Sequence, residues 1–238
     1  MRAELSFGAV LALGACDVVY GLEGRDDATT ASGDLVAHFT MDSIAGKLVD
    51  DSGYGHVGLC QSACPTSTDG RIGGALHFNG TTVIGVTADA SLETTSGFSI
   101  AGWYRVDGDV ELGMCPFNKT HASDSNSWQL CFSSDRRVRF YSTDDGSTTT
   151  QLETEPVPAN EFQHVVLWWD GTTKRIYVNG IPGPEVDAPT LFDRGIVSIG
   201  ADFDVGIVTA PFFGDLDDLR IYKRALTSEE IVDLVTAN

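Results

Sequence analysis

Short stretches of alternating apolar and polar residues recur along most of this chain, with turn-forming residues between them. Such alternation is typical of β-strands that bury one face. The clearest candidates are 35–41, 74–78, 82–86, 98–106, 128–132, 138–142, 162–169, 174–179 and 196–200. Many short strands without intervening helices predict an all-β fold, in which two antiparallel sheets pack as a sandwich.

The end of the chain predicts one more strand and the only convincing helix. Thr227 and Glu230 stand three residues apart just before an apolar run, which is the pattern of a capping box. In the preceding strand, a regular alternation would put Asp217 on the same face as Leu219 and Ile221. A carboxylate on an apolar face is unfavourable unless it is paired or binds a cation.

The N-terminus carries a second strong signal. Residues 5–15 are apolar or small, follow Arg2 and stop at Cys16. This run is too short to span a bilayer as a helix but has the length of a secretory signal core, and its composition is poor for a buried strand or helix. The sequence Leu-Gly-Ala-Cys at 13–16 resembles the bacterial lipobox, although Glu4 departs from the basic region that normally precedes it.

This resemblance implies three parts of the chain. Residues 1–15 are a lipoprotein signal peptide, 16–32 a flexible tether after a lipidated Cys16, and 33–238 a single domain. The protein is then expected in the bacterial cell envelope, periplasmic or surface-exposed. Lipid alone would attach it to the membrane, because no later apolar run is long enough to cross one.

The other four cysteines form an even set, namely Cys60, Cys64, Cys115 and Cys131. Four cysteines allow three pairings, and sequence separation favours Cys60 with Cys64 and Cys115 with Cys131. A metal site is the alternative, but neither the CxxC spacing nor a nearby histidine pair is present. Disulfides would place the domain in an oxidising compartment.

The formal net charge of −19 limits the partners. Loss of residues 1–15 removes one arginine and one glutamate and leaves this value unchanged. Such a charge repels nucleic acid and anionic membrane surfaces, so we expect no nucleic-acid partner. It suits an exported protein or one that binds cations.

Six motifs in order resemble the laminin-G-like jelly rolls of the concanavalin A-like lectin and glucanase superfamily. The loop at 50–58 resembles D-x-S-G-x-G-x-x-G, and 74–80 is similar to G-x-A-L-x-F-D-G with one residue fewer. The others are F-S-I-A-G-W at 98–103, F-Q-H-V at 162–165, I-Y-V-N-G at 176–180 and the ending at 212–231. The resemblance implies a jelly-roll sandwich of concanavalin A type with a short C-terminal helix.

The same resemblance implies a structural calcium ion. Its ligands would be Asp50, carbonyl groups of the loop that ends at His56, and Asp217, with Asp42 and Asp218 as substitutes if the strand register shifts. In the alternative, Asp50 makes only turn hydrogen bonds and Asp217 pairs with an arginine.

A ligand-binding face follows from the alternation in two strands. If Val165 and Trp169 face the core, His164 and Trp168 face outward. In the strand at 98–106, Phe98 and Ile100 would likewise face the core and Trp103 would face outward. Exposed aromatic rings can stack on sugars. The alternative, that other segments cover these rings as packing residues, is favoured because Trp103 occupies a framework position of the family.

Catalytic patterns are missing from the sequence. It contains no E-x-D-x-x-E strand, G-x-S-x-G, H-E-x-x-H or glycine-rich phosphate loop. We therefore expect a non-catalytic extracytoplasmic module that binds a glycan or an extracellular protein. The alternatives are a structural or adhesion domain acting by protein contact only, and a divergent glycan-degrading enzyme.

Overall fold

The computed structural model describes residues 33–61, 63–108, 113–120, 126–145, 148–192, 195–204 and 207–237. The predicted signal peptide, the tether and Cys16 lie outside these residues. Within them, eighteen β-strands precede a single α-helix. No helix in these ranges has the length and apolar character that crossing a bilayer requires.

Two eight-stranded antiparallel sheets form the molecule, together with a small separate hairpin. The first sheet runs in the order β14 (Ile181–Asp187), β13 (Thr173–Val178), β12 (Gln163–Trp169), β7 (Phe98–Val106), β18 (Phe213–Tyr222), β5 (Gly74–Asn79) and β4 (Thr66–Asp69), and β1 (Leu35–Phe39) also pairs with β18. The second runs β11 (Thr149–Pro156), β10 (Arg137–Thr143), β9 (Asn126–Phe132), β8 (Met114–Thr120), β15 (Val197–Ile199), β6 (Ile84–Val86), β3 (Val57–Cys60) and β2 (Lys47–Val49). The hairpin consists of β16 (Asp202–Asp204) and β17 (Ile207–Thr209). The predicted antiparallel two-sheet sandwich of concanavalin A type is confirmed.

The core lies between the two sheets and is built from the inward side chains of both. Phe98, Ile100, Val165 and Trp169 all belong to it, so the predicted orientation of these two strands is confirmed. Trp128 of the second sheet is fully buried there. Removal of so much apolar surface from water is the main force that holds the sheets together.

A β-bulge in β18 changes the predicted position of Asp217. Asp218 adopts a left-handed backbone conformation with φ 50°, and the pairing with β7 shifts register between Asp217 and Arg220. Asp217 therefore lies opposite Trp103 on the outer face, whereas Leu219 and Ile221 point into the core. The expectation that these three side chains share a face is wrong, because the bulge inserts an extra residue.

The helix α1 (Ser228–Thr236) covers part of the outer face of the first sheet. Its capping box is confirmed: the Thr227 hydroxyl accepts from the Glu230 amide at 3.3 Å, and the Glu230 carboxylate accepts from the Thr227 amide at 2.8 Å. Ile231 and Leu234 pack against Val166 and Tyr177 of the sheet. The C-terminus is therefore a fixed part of the sandwich.

Two disulfide bonds join neighbouring segments of the chain. Cys60 is bonded to Cys64, and Cys115 to Cys131 between the adjacent strands β8 and β9. These are the two pairings that sequence separation favours.

Candidate functional site

Asp50 organises the loop for which the family resemblance implies a calcium ion. Its carboxylate accepts hydrogen bonds from the His38 amide at 2.8 Å, the Ser52 amide at 2.9 Å, the Ser52 hydroxyl at 2.8 Å and the His56 amide at 3.2 Å. Burial raises the pKa of Asp50, but these donors outweigh burial and keep the pKa below its ordinary value. The His56 carbonyl in turn accepts from the Asp50 amide at 3.2 Å. Asp50 thus makes the turn hydrogen bonds that were the alternative to calcium binding.

Asp217 lies in a very different environment. Its side chain is fully buried, and Oδ2 accepts from the backbone amides of Arg71 at 2.7 Å and Ile72 at 2.9 Å. Oδ1 is also buried and has no hydrogen-bond partner among the described residues. Burial, reinforced by the nearby charges of Asp218 and Asp42, raises the pKa of Asp217 to about 6 despite the two amide donors. A cation beside Oδ1 would relieve this unfavourable burial.

The two substitute ligands are already engaged. Asp42 Oδ1 accepts from the Gly74 amide at 2.6 Å, and Asp218 Oδ1 lies 2.7 Å from His38 Nε2 and 3.1 Å from Arg220. In the part of the chain that the structure describes, no three carboxylate, histidine or cysteine side chains converge as metal ligands. Asp217 could bind a cation through its unpaired Oδ1. The Asp50 carboxylate and the His56 carbonyl instead already accept hydrogen bonds within the loop. The calcium ion stays a prediction.

The three residues predicted to bind a ligand lie on the outer face of the first sheet, as expected from their alternation. Trp103 is 4% exposed and His164 1%, and their rings meet edge to face with centroids 5.1 Å apart. The Arg71 guanidinium covers Trp103 at 5.1 Å from the ring centroid. Burial lowers the pKa of His164 to about 4, so the ring is neutral at physiological pH.

Trp168 is fixed at the C-terminal end of the same face. Its indole Nε1 donates to the Leu226 carbonyl at 2.9 Å, and Arg175 lies 5.7 Å from the ring centroid. Ligand binding by Trp103, His164 and Trp168 stays a prediction, but their surroundings favour the alternative in which they are packing residues.

The outer face of the second sheet carries a feature that sequence reasoning missed, which we call the transverse row. It is a line of outward side chains, one from each strand, in which every member is the cross-strand neighbour of the next. Its members are Lys47, Leu59, Gly85, Ser198, Asn118, Gln129, Tyr141 and Gln151. Five of the eight residues carry an amide, hydroxyl or phenol group, and such groups can fix the orientation of a small ligand.

The chain segment before the hairpin crosses the middle of the transverse row. The Ala201 carbonyl accepts from Asn118 Nδ2 at 2.9 Å and from Ser198 Oγ at 2.8 Å. Asn118 and Ser198 are consequently fully buried. The row is left open at its two ends, around Tyr141 and around Leu59.

The end around Leu59 forms a cavity of about 170 Å³. Its lining combines aliphatic residues with a few polar ones and a glycine: Leu59, Gln61, Val83, Gly85, Val86, Thr87, Ile196 and Ser198. Gly85 leaves room for the Gln61 side chain above it, since a Cβ atom at this position would lie 2.8 Å from Gln61 Nε2. None of the eight residues is charged, in contrast to the acidic chain as a whole.

Comparisons with solved structures identify similar folds. The binding domain of Paraclostridial Mosquitocidal Protein 1 superposes with a TM-score of 0.70 at 17% identity, over 86% of this chain and 52% of that one. The binding domain of botulinum neurotoxin DC, in complex with rat synaptotagmin II, has a TM-score of 0.66 at 14% identity, over 86% and 51%. This chain thus spans about half the length of these toxin domains.

A third similar structure has nearly the same length as this domain. It is domain 4 of AbnA, a GH43 extracellular arabinanase from Geobacillus stearothermophilus, in complex with arabinotriose. Its TM-score is 0.65 at 20% identity, over 85% of this chain and 98% of that one. No curated protein sequence matches the chain. The family model of the concanavalin A-like lectin/glucanases superfamily, of laminin G type, matches residues 78–232, more than half of the sequence, and the chain belongs to this family.

Proposed function

We propose that the protein is a non-catalytic module that binds a glycan in the cavity beside Leu59 and Gly85. The observation that carries this proposal is the cavity itself, which opens on the outer face of the second sheet at one end of the transverse row. Concave sites with mainly apolar walls and a few polar groups are typical of small-ligand binding. The complex of AbnA domain 4 with arabinotriose supports a sugar ligand for a domain of this fold.

The lining of the cavity supports binding rather than hydrolysis. Glycoside hydrolysis uses a pair of carboxyl groups that flank the scissile bond. None of the eight residues around the cavity is an aspartate or a glutamate. We therefore propose that a sugar bound there is held and not cleaved.

A protein partner is the second candidate. Ile207 and Val208 of the hairpin strand β17 are 64% and 47% exposed, and Phe213 nearby in the sequence is 42% exposed. Exposed apolar side chains close together favour contact with another protein. The binding domain of botulinum neurotoxin DC in complex with synaptotagmin II supports this candidate for the fold.

Filling the cavity should abolish glycan binding. Gly85→Leu places a side chain on the floor of the cavity, and its Cβ meets only the flexible end of Gln61, so the fold should persist. On a glycan array, the full chain should bind at least one sugar, and Gly85→Leu should lose that signal by about tenfold or more.

The matched control is Gly108→Leu, because a Cβ atom there has only Asn160 Nδ2 nearby, at 3.9 Å. This variant should bind like the wild type. Retained binding by Gly85→Leu would exclude the cavity as the site, and an array without any signal would favour the protein partner.

We also propose that lipid on Cys16 anchors the protein in a bacterial cell envelope, on the strength of the lipobox resemblance. Metabolic labelling with palmitate should mark the wild type and miss Cys16→Ser. Equal labelling of the two would refute the anchor.

A further inference from the structure

We infer that the cavity takes the acetamido group of an N-acetylated sugar and that Gln61 determines this specificity. The inference rests on the proposed glycan-binding function and names the class of sugar. The lining of the cavity combines aliphatic residues with one primary amide.

The aliphatic part of the lining suits a methyl group. Leu59, Val83 and Ile196 supply it, and Gly85 lies beneath the Gln61 side chain. A sugar hydroxyl placed against these side chains would lose its hydrogen bonds to water without replacement. The acetamido methyl group instead gains from leaving water, so the floor favours an N-acetylated ring over a plain hexose.

Gln61 supplies the polar complement of an acetamido group. Its Nε2 donates to the Leu59 carbonyl at 3.1 Å, which uses one of its two N–H groups. The second N–H and Oε1 have no partner among the described residues, and the side chain is exposed at the rim of the cavity. A free N–H and a free carbonyl oxygen can pair with the carbonyl oxygen and the N–H of an acetamido group.

The position of Gln61 is fixed before any ligand arrives. Its backbone amide donates to the Val83 carbonyl at 2.8 Å, and the flanking Cys60 is bonded to Cys64. Its side chain lies over Gly85 within 2.8 Å of where a Cβ would be. Preorganisation of this kind lowers the entropic penalty of binding. The uncharged lining also matches the neutral acetamido group.

Two trisaccharides that differ at the relevant position test the inference. Triacetylchitotriose carries acetamido groups where cellotriose has hydroxyl groups. Calorimetric titration of the full chain should show chitotriose binding about tenfold tighter or more. Gln61→Ala should remove most of that preference by weakening chitotriose about tenfold while changing cellotriose less than twofold.

Gln151→Ala is the matched control, since Gln151 is an exposed glutamine at the opposite end of the transverse row. It should leave the preference intact. Equal affinity for the two sugars would overturn the acetamido inference but not glycan binding. A chitotriose preference that survives Gln61→Ala or Gly85→Leu would do the same. If neither trisaccharide binds but the array shows other sugars, the acetamido inference is wrong and the proposed glycan binding is retained. If no sugar binds in any format, the proposed function fails with it.

Discussion

Asp217→Asn is expected to stabilise the protein at pH 8 in calcium-free buffer and to leave its stability at pH 4 unchanged. Burial raises the pKa of Asp217 from 3.8 to about 6, so the folded state holds this proton more tightly than the unfolded chain does. The protein then loses stability as the pH rises from about 4 to about 6 and regains none above that range. At 1.36 kcal/mol per pKa unit, the ionised carboxylate costs at most about 3 kcal/mol.

Asparagine should recover part of this cost. Its side-chain oxygen can still accept from the Arg71 and Ile72 amides, and its neutral amide has no charge to desolvate. The new buried N–H reduces the benefit, so we expect a gain of about 1–2 kcal/mol at pH 8. Urea denaturation at the two pH values measures it. The exposed Asp233→Asn is the control and should shift stability at neither pH.

Calcium should reverse the sign of this effect. A ligand that binds only the folded state stabilises it by mass action, and an ion at the free Oδ1 of Asp217 also removes the unfavourable burial of its charge. In millimolar calcium the wild type should melt at a higher temperature than in chelator, whereas Asp217→Asn should melt at the same temperature in both.

Two results would contradict these expectations separately. A wild type without any calcium shift at pH 8 would exclude the ion. An Asp217→Asn variant that is less stable than the wild type in chelator would mean that the hydrogen bonds to the carboxylate outweigh its burial.

The inward and outward faces of the long strands could be predicted because they depend only on local alternation. In β7 and β12, successive side chains point to opposite faces whichever strands lie alongside. Phe98, Ile100, Val165 and Trp169 are therefore found in the core as expected. The capping box of α1 is equally local, since a segment of four residues contains both partners.

The face occupied by Asp217 could not be predicted in the same way. The bulge depends on a register shift against β7, which lies far away in the sequence, and on a left-handed Asp218. Aspartate tolerates this conformation better than most residues but does not require it. Alternation along β18 alone therefore indicates the wrong face.

The transverse row was hidden by the strand order. Leu59, Gly85 and Ser198 become neighbours only because β3, β6 and β15 lie side by side, although they are distant in the chain. The available signal was weak: Ser198 and Gln129 each stand between two buried apolar residues, as any outward strand residue does. The aromatic residues Trp103 and Trp168 instead predicted a binding face on the first sheet. There, Arg71 covers Trp103, and the C-terminal segment contacts Trp168.

Removal of Lys174 should weaken the link between the two sheets. It belongs to β13, is fully buried, and its Nζ donates to Ser142 Oγ of β10 at 2.5 Å and to Asp144 Oδ1 at 2.7 Å. Burial lowers the pKa of Lys174, and the bonds to Asp144 oppose this. Removing one partner of a buried ion pair leaves the other charge buried and uncompensated. Because the Asp144 side chain keeps 10% exposure, we expect Lys174→Met to cost about 3 kcal/mol, near the lower limit for such pairs.

A double-mutant cycle separates the ion pair from the loss of packing. Asp144→Asn retains an acceptor for the Thr150 hydroxyl, which donates to Asp144 Oδ2 at 2.6 Å, and removes the charge that Lys174→Met would leave unpaired. The double variant should therefore lose about 1–3 kcal/mol less free energy of unfolding than the sum of the two single variants, as measured by urea denaturation.

Arg139→Met is the control for a partly exposed pair. Arg139 Nε donates to Glu153 at 2.5 Å on the outer face, and loss of this pair should cost about 1 kcal/mol or less. If the losses in free energy of unfolding of Lys174→Met and Asp144→Asn simply add, the packing of the lysine side chain, and not its charge, stabilises the contact between the sheets.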